Sequence, residues 1–176
     1  MLSAVQIKPD VYAVGAIDWN AREFHGYTTE QGITYNAYLI LDEKITLIDT
    51  VKYTMTDELI ERIQSIVDPA KIDVVVCNHI EMDHSSSLPA ILKVAPNAAV
   101  YASAPQGVKE LKAFYGEDLE VNGVKTGDTL SIGKRTLHFV QTPMVHWPDN
   151  MVTYSDVDKI LFSNDAFGQH YASSTR

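Results

Sequence analysis

Residues 77–87 read CNHIEMDHSSS, and six of those positions hold two imidazoles and two carboxylates: His79, Glu81, Asp83 and His84. The stretch follows IDVVVC (72–77), a continuous apolar run that reads as a strand covered on both faces. It precedes SLPAILKVAP, whose Leu88, Ile91, Leu92 and Ala95 share one helical face. A ligand-rich segment between a strand and a helix lies at the strand's carboxyl end, where α/β folds gather ligands. Alternate residues of an extended segment point the same way, so His79, Glu81 and Asp83 converge and the chain must turn at His84. So many donors from one short segment fit two adjacent ions better than one, each ion being completed from elsewhere. His146, after RTLHFVQTPMV, and Asp165, after KILFSN, also follow strand-like runs and can reach the same edge. A carboxylate has two oxygens, so Asp165 can bridge two ions. Taken alone, neither His146 nor Asp165 would carry this reading.

Outward from this segment, the first third reads as β: VYAVGAI (11–17), TYNAYLIL (34–41) and KITLIDT (44–50) are rich in β-branched and aromatic residues. Between the first two runs lies DWNAREFHGYTTEQG, a long loop of the kind that often carries function. Helical spacing over 55–67 places Met55, Leu59, Ile60, Ile63, Ile66 and Val67 on one face, with Thr54 or Thr56 as the expected cap and Pro69 beyond the end. AAVYAS (98–103) reads as a strand and PQGVKELKAFYG as a helix stopped by Gly116. LEVNGV, DTLSIG, RTLHFVQT, MVTYS and KILFS read as strands divided by Gly, Asn and Asp turns. A β-rich start, an alternating middle and a β-rich end predict an α/β layered fold of mixed sheets flanked by helices.

Composition narrows the function. The chain has 176 residues, 45% of them hydrophobic, which predicts one domain with a sizeable core. A net charge of −9 and a pI near 5.0 argue against nucleic acid and against anionic membrane surfaces. Cys77 is the only cysteine, so no internal disulfide forms; it reads as a buried inert thiol. There is no secretory signal and no membrane-length apolar run, and a reducing cytoplasm is the simplest location. His138 and His170 read as structural or solvent-facing.

HIEMDH resembles the metal motif of the metallo-β-lactamase superfamily, whose hydrolytic members carry His-x-His-x-Asp-His. Glu81 stands where those members have their second His. That exchange, together with MVHWPDN (144–150), LFSNDAFGQ (161–169), DWNAREFHG (18–26) and YNAYLI (35–40), closely resembles the flavodiiron proteins, diiron reductases of O₂ and nitric oxide. The match runs from about Val11 to the end of the chain. A carboxylate in place of an imidazole makes the site harder and more anionic, which suits iron.

The resemblance implies a metallo-β-lactamase-like αββα sandwich, of which residues 1–176 are the N-terminal portion. It implies one iron on His79, Glu81 and His146, a second on Asp83, His84 and a further His, and Asp165 as the bridge. It implies FMN in a flavodoxin-like domain C-terminal to the diiron domain, facing the irons of the partner subunit in a head-to-tail homodimer or higher oligomer. Rubredoxin or a rubredoxin-type protein is the implied electron donor. Trp147 is expected at the flavin or the pocket wall, with core packing as the alternative. His25 is expected to line the pocket and hydrogen-bond bound substrate, with a surface-loop role as the alternative. The family's last His ligand and its flavin domain lie beyond Arg176. The rest is expected either on a second chain, Arg176 being compatible with trypsin-like cutting, or in a longer protein of which this is the ordered part. Two other readings compete: a zinc hydrolase using metal-activated water, which Glu81 and HWPD disfavour, and a non-enzymatic diiron O₂ sensor.

Overall fold

The computed structural model describes residues 2–168 and 170–173. Its strands, in chain order, are β1 (Val5–Lys8), β2 (Val11–Ala13), β3 (Ala16–Asp18), β4 (Glu23–Phe24), β5 (Tyr27–Thr28), β6 (Ile33–Tyr35), β7 (Tyr38–Ile40), β8 (Ile45–Ile48), β9 (Ile72–Cys77), β10 (Ala99–Ser103), β11 (Val121–Val124), β12 (Thr129–Ser131), β13 (Thr136–Gln141), β14 (Met151–Ser155) and β15 (Ile160–Phe162). The α-helices are α1 (Thr56–Gln64), α2 (Met82–Ser85), α3 (Leu88–Val94) and α4 (Gln106–Tyr115). The larger sheet has seven strands in the order β1-β2-β7-β8-β9-β10-β11, and a second sheet has four in the order β12-β13-β14-β15. In the larger sheet β8, β9, β10 and β11 run parallel, and β1, β2, β7 and β8 pair antiparallel.

The apolar pattern of β9 decides this arrangement. Val75 and Cys77 face one way and pack with Leu59 and Ile63 of α1, Leu88 and Ile91 of α3 and Leu111 of α4. Val74 and Val76 face the other way and pack with Leu137, Phe139, Met151 and Phe162 of the second sheet. A strand buried on both faces needs a layer on each side, and the result is helices on sheet on sheet. This is the metallo-β-lactamase-like architecture expected from the sequence. Among the described residues no helix packs on the outer face of the four-stranded sheet, so three of the sandwich's four layers are present.

Several boundaries differ from the sequence reading. VYAVGAI is two strands, β2 and β3, because the amides of Val14 and Gly15 both donate to Ala37 O (2.9 and 3.1 Å). TYNAYLIL breaks at the same level into β6 and β7, and β3–β6 form a small sheet of their own. A Cβ at Gly15 would sit 2.0 Å from Tyr35 O, so only glycine allows this approach. The helix expected over 55–67 is a 3₁₀ turn (Tyr53–Met55) followed by α1. Neither Thr54 nor Thr56 caps it: Met55 is the N-cap residue, and Thr56 Oγ1 donates back to Tyr53 O (2.7 Å). The chain turns at Glu81, not His84, so Asp83 and His84 ride on α2 and Asp83 leaves the extended run.

At the end of the sandwich opposite the ligand segment, Arg135 ties the two sheets together. Its guanidinium donates to Asp158 Oδ2 (2.8 Å) and Oδ1 (3.1 Å), to Asp42 Oδ2 (3.2 Å) and to Pro9 O (2.8 Å). The three side chains are 6%, 5% and 2% exposed for Arg135, Asp158 and Asp42. Burial pushes the Asp42 carboxyl up, but hydrogen bonds from the amides of Lys134, Glu43 and Arg135 and from the guanidinium hold it below its usual value. Burial likewise opposes Arg135 and Ser155 at Asp158, which also ends low. Arg135→Ala is therefore expected to destabilise the fold by about 3–5 kcal/mol, the cost of stranding buried carboxylates, read as a fall in the urea midpoint. Both carboxyls titrate lower folded than unfolded, so their contribution is complete above pH ~4 and is lost as pH falls through the folded values. The wild type should lose more stability than the variant over that acid interval.

Candidate metal centre

The ligand segment leaves β9 at Cys77 and meets three other chain ends at one edge of the sandwich. Asp49 follows β8, the segment 142–150 joins β13 to β14, and Ser163–Asp165 follow β15. Asn78 binds these ends to one another. Its amide donates to Asp49 Oδ1 (2.7 Å) and its side-chain nitrogen to Asp49 Oδ2 (3.0 Å). Its side-chain oxygen accepts from Thr153 Oγ1 (2.7 Å), and its carbonyl from the Met151 amide (2.9 Å). The second sheet is thus clipped to the first one residue before His79.

His79 is wholly buried. Its Nδ1 meets Asp149 Oδ2 at 3.0 Å, which directs Nε2 towards Glu81 Oε2 (3.2 Å) and Asp165 Oδ2 (3.6 Å). His146 Nε2 lies 3.1 Å from Glu81 Oε2 and 3.3 Å from Asp165 Oδ2. On the other side, His84 Nε2 lies 2.9 Å from Asp83 Oδ2 and 2.6 Å from Asp165 Oδ1. The donor atoms fall into overlapping groups, each within 4.8 Å: His79, Glu81, His146 and Asp165; Asp83, His84 and Asp165; and His25, Glu81 and Asp83. The structure therefore brings together all six residues proposed as ligands. Asp165 belongs to both of the first two groups and offers a different oxygen to each.

The electrostatics fit a cation. Burial disfavours charge on His84, but the hydrogen bonds it donates to Asp165 and Asp83 outweigh it and push its pKa up to about 10. Burial raises Asp165 in turn, yet His84, His79 and His146 pull it down to about 2. For His79, burial is again outweighed, here by Asp149, and the imidazole titrates above its usual value. Asp83 Oδ1 and His84 Nδ1 are buried with no hydrogen-bond partner among the described residues.

His25 sits at the tip of the β4–β5 hairpin. The loop that contains it thus has structure of its own, which its polar composition did not announce. His25 and Gly26 both have positive φ (50° and 80°), the combination a tight two-residue hairpin turn requires. The turn aims His25 Nε2 at Glu81 Oε1, 3.1 Å away, so His25 is a pocket residue. Trp147 is half-buried, its ring edge-on to His79 with centroids 5.5 Å apart, and it too lines the pocket. The cavity over the cluster measures about 560 Å³, and Phe24, Tyr35, Asn164 and His170 complete its wall. His170, read as structural or solvent-facing, packs against Phe24 with ring centroids 5.1 Å apart. His138 faces away, 3.7 Å from Asp156 on the four-stranded sheet. Cys77 is buried, and burial pushes its thiol up, as an inert core thiol requires. Sequence reasoning missed Asp149. Its signal was a carboxylate three residues after His146 in MVHWPDN.

Comparison with known proteins places this geometry. The family described as ODP family beta lactamase matches residues 33–176. A protein named nitric oxide reductase from Moorella thermoacetica is 47% identical, over 100% of this chain and 45% of its own length. A rubredoxin-oxygen oxidoreductase from Megalodesulfovibrio gigas is 48% identical, over 99% of this chain and 44% of its own length. The crystal structure of the flavodiiron protein from Giardia intestinalis superposes with a TM-score of 0.95 at 45% identity, covering 100% of this chain and 43% of that one. The chain spans less than half the length of these relatives. With the family's pattern matched from Ile33 onward and the buried carboxylate–imidazole cluster at its sheet edge, the chain belongs to the ODP beta-lactamase family.

Proposed function

We propose that this chain is the diiron-binding part of an oxidoreductase that reduces O₂ to water, NO to N₂O, or both, with electrons from FMN. The observation that carries the reading is the pair of ligand groups that share Asp165. His79, Glu81 and His146 would hold one ion and Asp83 and His84 the other, with Asp165 offering an oxygen to each group. A ferrous pair there would supply two electrons, enough for two NO, and the flavin would supply the remaining two that O₂ needs to become water. The names of the relatives at 47% and 48% identity support the reaction class. The acidic, imidazole-containing donor set supports iron.

This chain's residues have separable roles in that reading. Asp149 holds the Nδ1 proton of His79 and keeps Nε2 free as a donor to metal. His25 contacts Glu81 from the pocket side and stands where a bound diatomic would accept a hydrogen bond. Trp147 walls the pocket beside His79 and His146 and limits water there. In this proposal residues 1–176 form the N-terminal portion of the diiron domain. The last ligand and the flavodoxin-like domain lie on other sequence, and the flavin comes from the partner subunit of a head-to-tail homodimer. The electron donor is rubredoxin or a rubredoxin-type protein, in line with the name of the M. gigas relative. No helix among the described residues is long and apolar enough to cross a membrane, and the proposed location is the cytoplasm.

The intact protein, reconstituted anaerobically with ferrous iron, is expected to hold about two irons per copy, since its two donor groups each supply hard O and N ligands. It should consume O₂ or NO only when its flavin is kept reduced. Retention of zinc in place of iron, with turnover indifferent to flavin, would transfer the protein to the hydrolases. Ligand deletion should also separate the groups. His146→Ala touches one group and should leave about one iron, whereas Asp165→Ala touches both and should leave well under one. Iron analysis by absorbance and mass spectrometry reads both.

A further inference from the structure

Asp149 is only 1% exposed, yet its two oxygens are treated very differently. Oδ2 accepts from the Ile80 amide (2.7 Å) and meets His79 Nδ1 (3.0 Å). Oδ1 is buried with no donor among the described residues. A second buried oxygen, Glu110 Oε2, likewise has no donor among the described residues. Glu110 belongs to α4, and its carboxyl lies within hydrogen-bonding range of the Asp149 carboxyl. Two carboxylate oxygens facing each other away from water repel, and the contact becomes favourable when one of them carries a proton.

The helix is placed for this contact. Gly107, one turn before Glu110, donates its amide to Ser103 Oγ at 3.2 Å, and Ser103 Oγ donates to the Asp149 carbonyl. A Cβ on Gly107 would come within 2.8 Å of Ser103 Oγ, so glycine lets α4 lie close against the end of β10. At the other end of the helix, the Tyr115 hydroxyl meets Ser85 Oγ (2.6 Å), which donates to Ile80 O (2.6 Å). The helix therefore braces the ligand segment on both sides of Ile80.

We propose that Glu110 is a positioning residue for the metal centre: its protonated carboxyl donates a hydrogen bond to Asp149 Oδ1, which holds Asp149 Oδ2 on His79 Nδ1 and so orients the His79 ring. The proton belongs on Glu110. Asp149 Oδ2 already meets His79 Nδ1 and accepts from the Ile80 amide, which suits the anion. Glu110 Oε2, in contrast, has no donor among the described residues, and burial with the neighbouring Asp149 charge pushes the Glu110 pKa up to about 7. The arrangement is a three-member chain, carboxylic acid to carboxylate to imidazole, ending at a donor atom. The inference rests on the reading of His79 as a metal ligand.

The test compares Glu110→Gln, which keeps a donor, with Glu110→Leu, which keeps volume but removes it, in the intact protein. Metal affinity is read by competing cobalt against a chromophoric chelator. Glu110→Leu is expected to bind cobalt ~10–100-fold more weakly, the usual effect of losing an outer-shell partner, and Glu110→Gln to stay within about threefold of wild type. Thermal melting of the metal-free proteins is the control for fold. In parallel, ¹⁵N NMR of the metal-free proteins reads the His79 Nδ1–H, which should stay protected in wild type and Glu110→Gln and exchange faster in Glu110→Leu. Unchanged cobalt affinity and an unchanged His79 signal in Glu110→Leu would overturn the proposal. So would equal losses in both variants that follow their melting temperatures, since packing alone would then explain them. If wild type binds no cobalt, the metal reading fails, and the His79 signal still decides whether Glu110 acts through Asp149.

Discussion

The structure depends on a polar seam that crosses an apolar sandwich. Asn78 is buried between two sheets, where an unpaired amide would be costly. Every polar atom of its side chain is engaged, to Asp49 on one side and Thr153 on the other. Asp49 is itself 1% exposed, and burial pushes its carboxyl up against the hydrogen bonds from Asn78. Such a network tolerates one arrangement, because a slip of one residue along β9 would strand several groups together. Since His79 is the next residue, the register of the core is also the register of the candidate metal centre.

The same logic explains why the proposed ligands come from three separate stretches, 79–84, 146 and 165. Each follows or precedes a strand at the same edge, and backbone hydrogen bonds tie neighbouring strand ends there to one another. Met151 reaches Asn78, Thr50 reaches His84 O, and Asp49 N reaches Val76 O. Rigid strand ends hold donor atoms within tenths of an ångström more readily than free loops do. The exposed members, His146 and His25, with side chains 55% and 46% exposed, face the pocket, whereas His79 and Asp149 are sealed behind it. Depth thus separates the groups that orient the centre from those that border its opening.

Much of this was legible in the chain itself. The four-residue apolar run Val74–Cys77 before Asn78 reports a doubly covered strand, and the crowding of His79, Glu81, Asp83 and His84 reports a candidate metal centre, because neither pattern has another common physical cause. Continuous apolar runs say nothing about backbone breaks, so the matched kinks at Val14–Gly15 and Asn36–Ala37 were invisible: they arise from two strands bending together. The position of the turn at Glu81 was missed for a related reason. Alternation suggests extended chain, but four residues of α2 satisfy their amides just as well and bring Asp83 and His84 round together. Asp149 stands three residues after His146, but its pairing with His79, seventy residues away, was illegible, and Glu110 stands near no proposed ligand in sequence. Only the folded chain shows which carboxylates face each other.

The charge of the centre follows from this burial. Glu81, Asp83 and Asp149 are buried, Asp165 is a third exposed beside them, and an isolated buried carboxylate is far more costly than a paired one. Without metal the imidazoles supply the compensation, which is why His84 holds its proton up to about 10 while Asp165 gives its own up at about 2. A metal cation bound by the same atoms takes over the compensating charge and releases those protons. Protons can occupy these nitrogens one at a time, but only a cation of coordination number above three draws Glu81, His79, His146 and Asp165 to a single point. In the proposed centre, relief of the repulsion among the carboxylates would favour cation binding. Asp165 is the residue through which each side of the cluster feels the charge of the other.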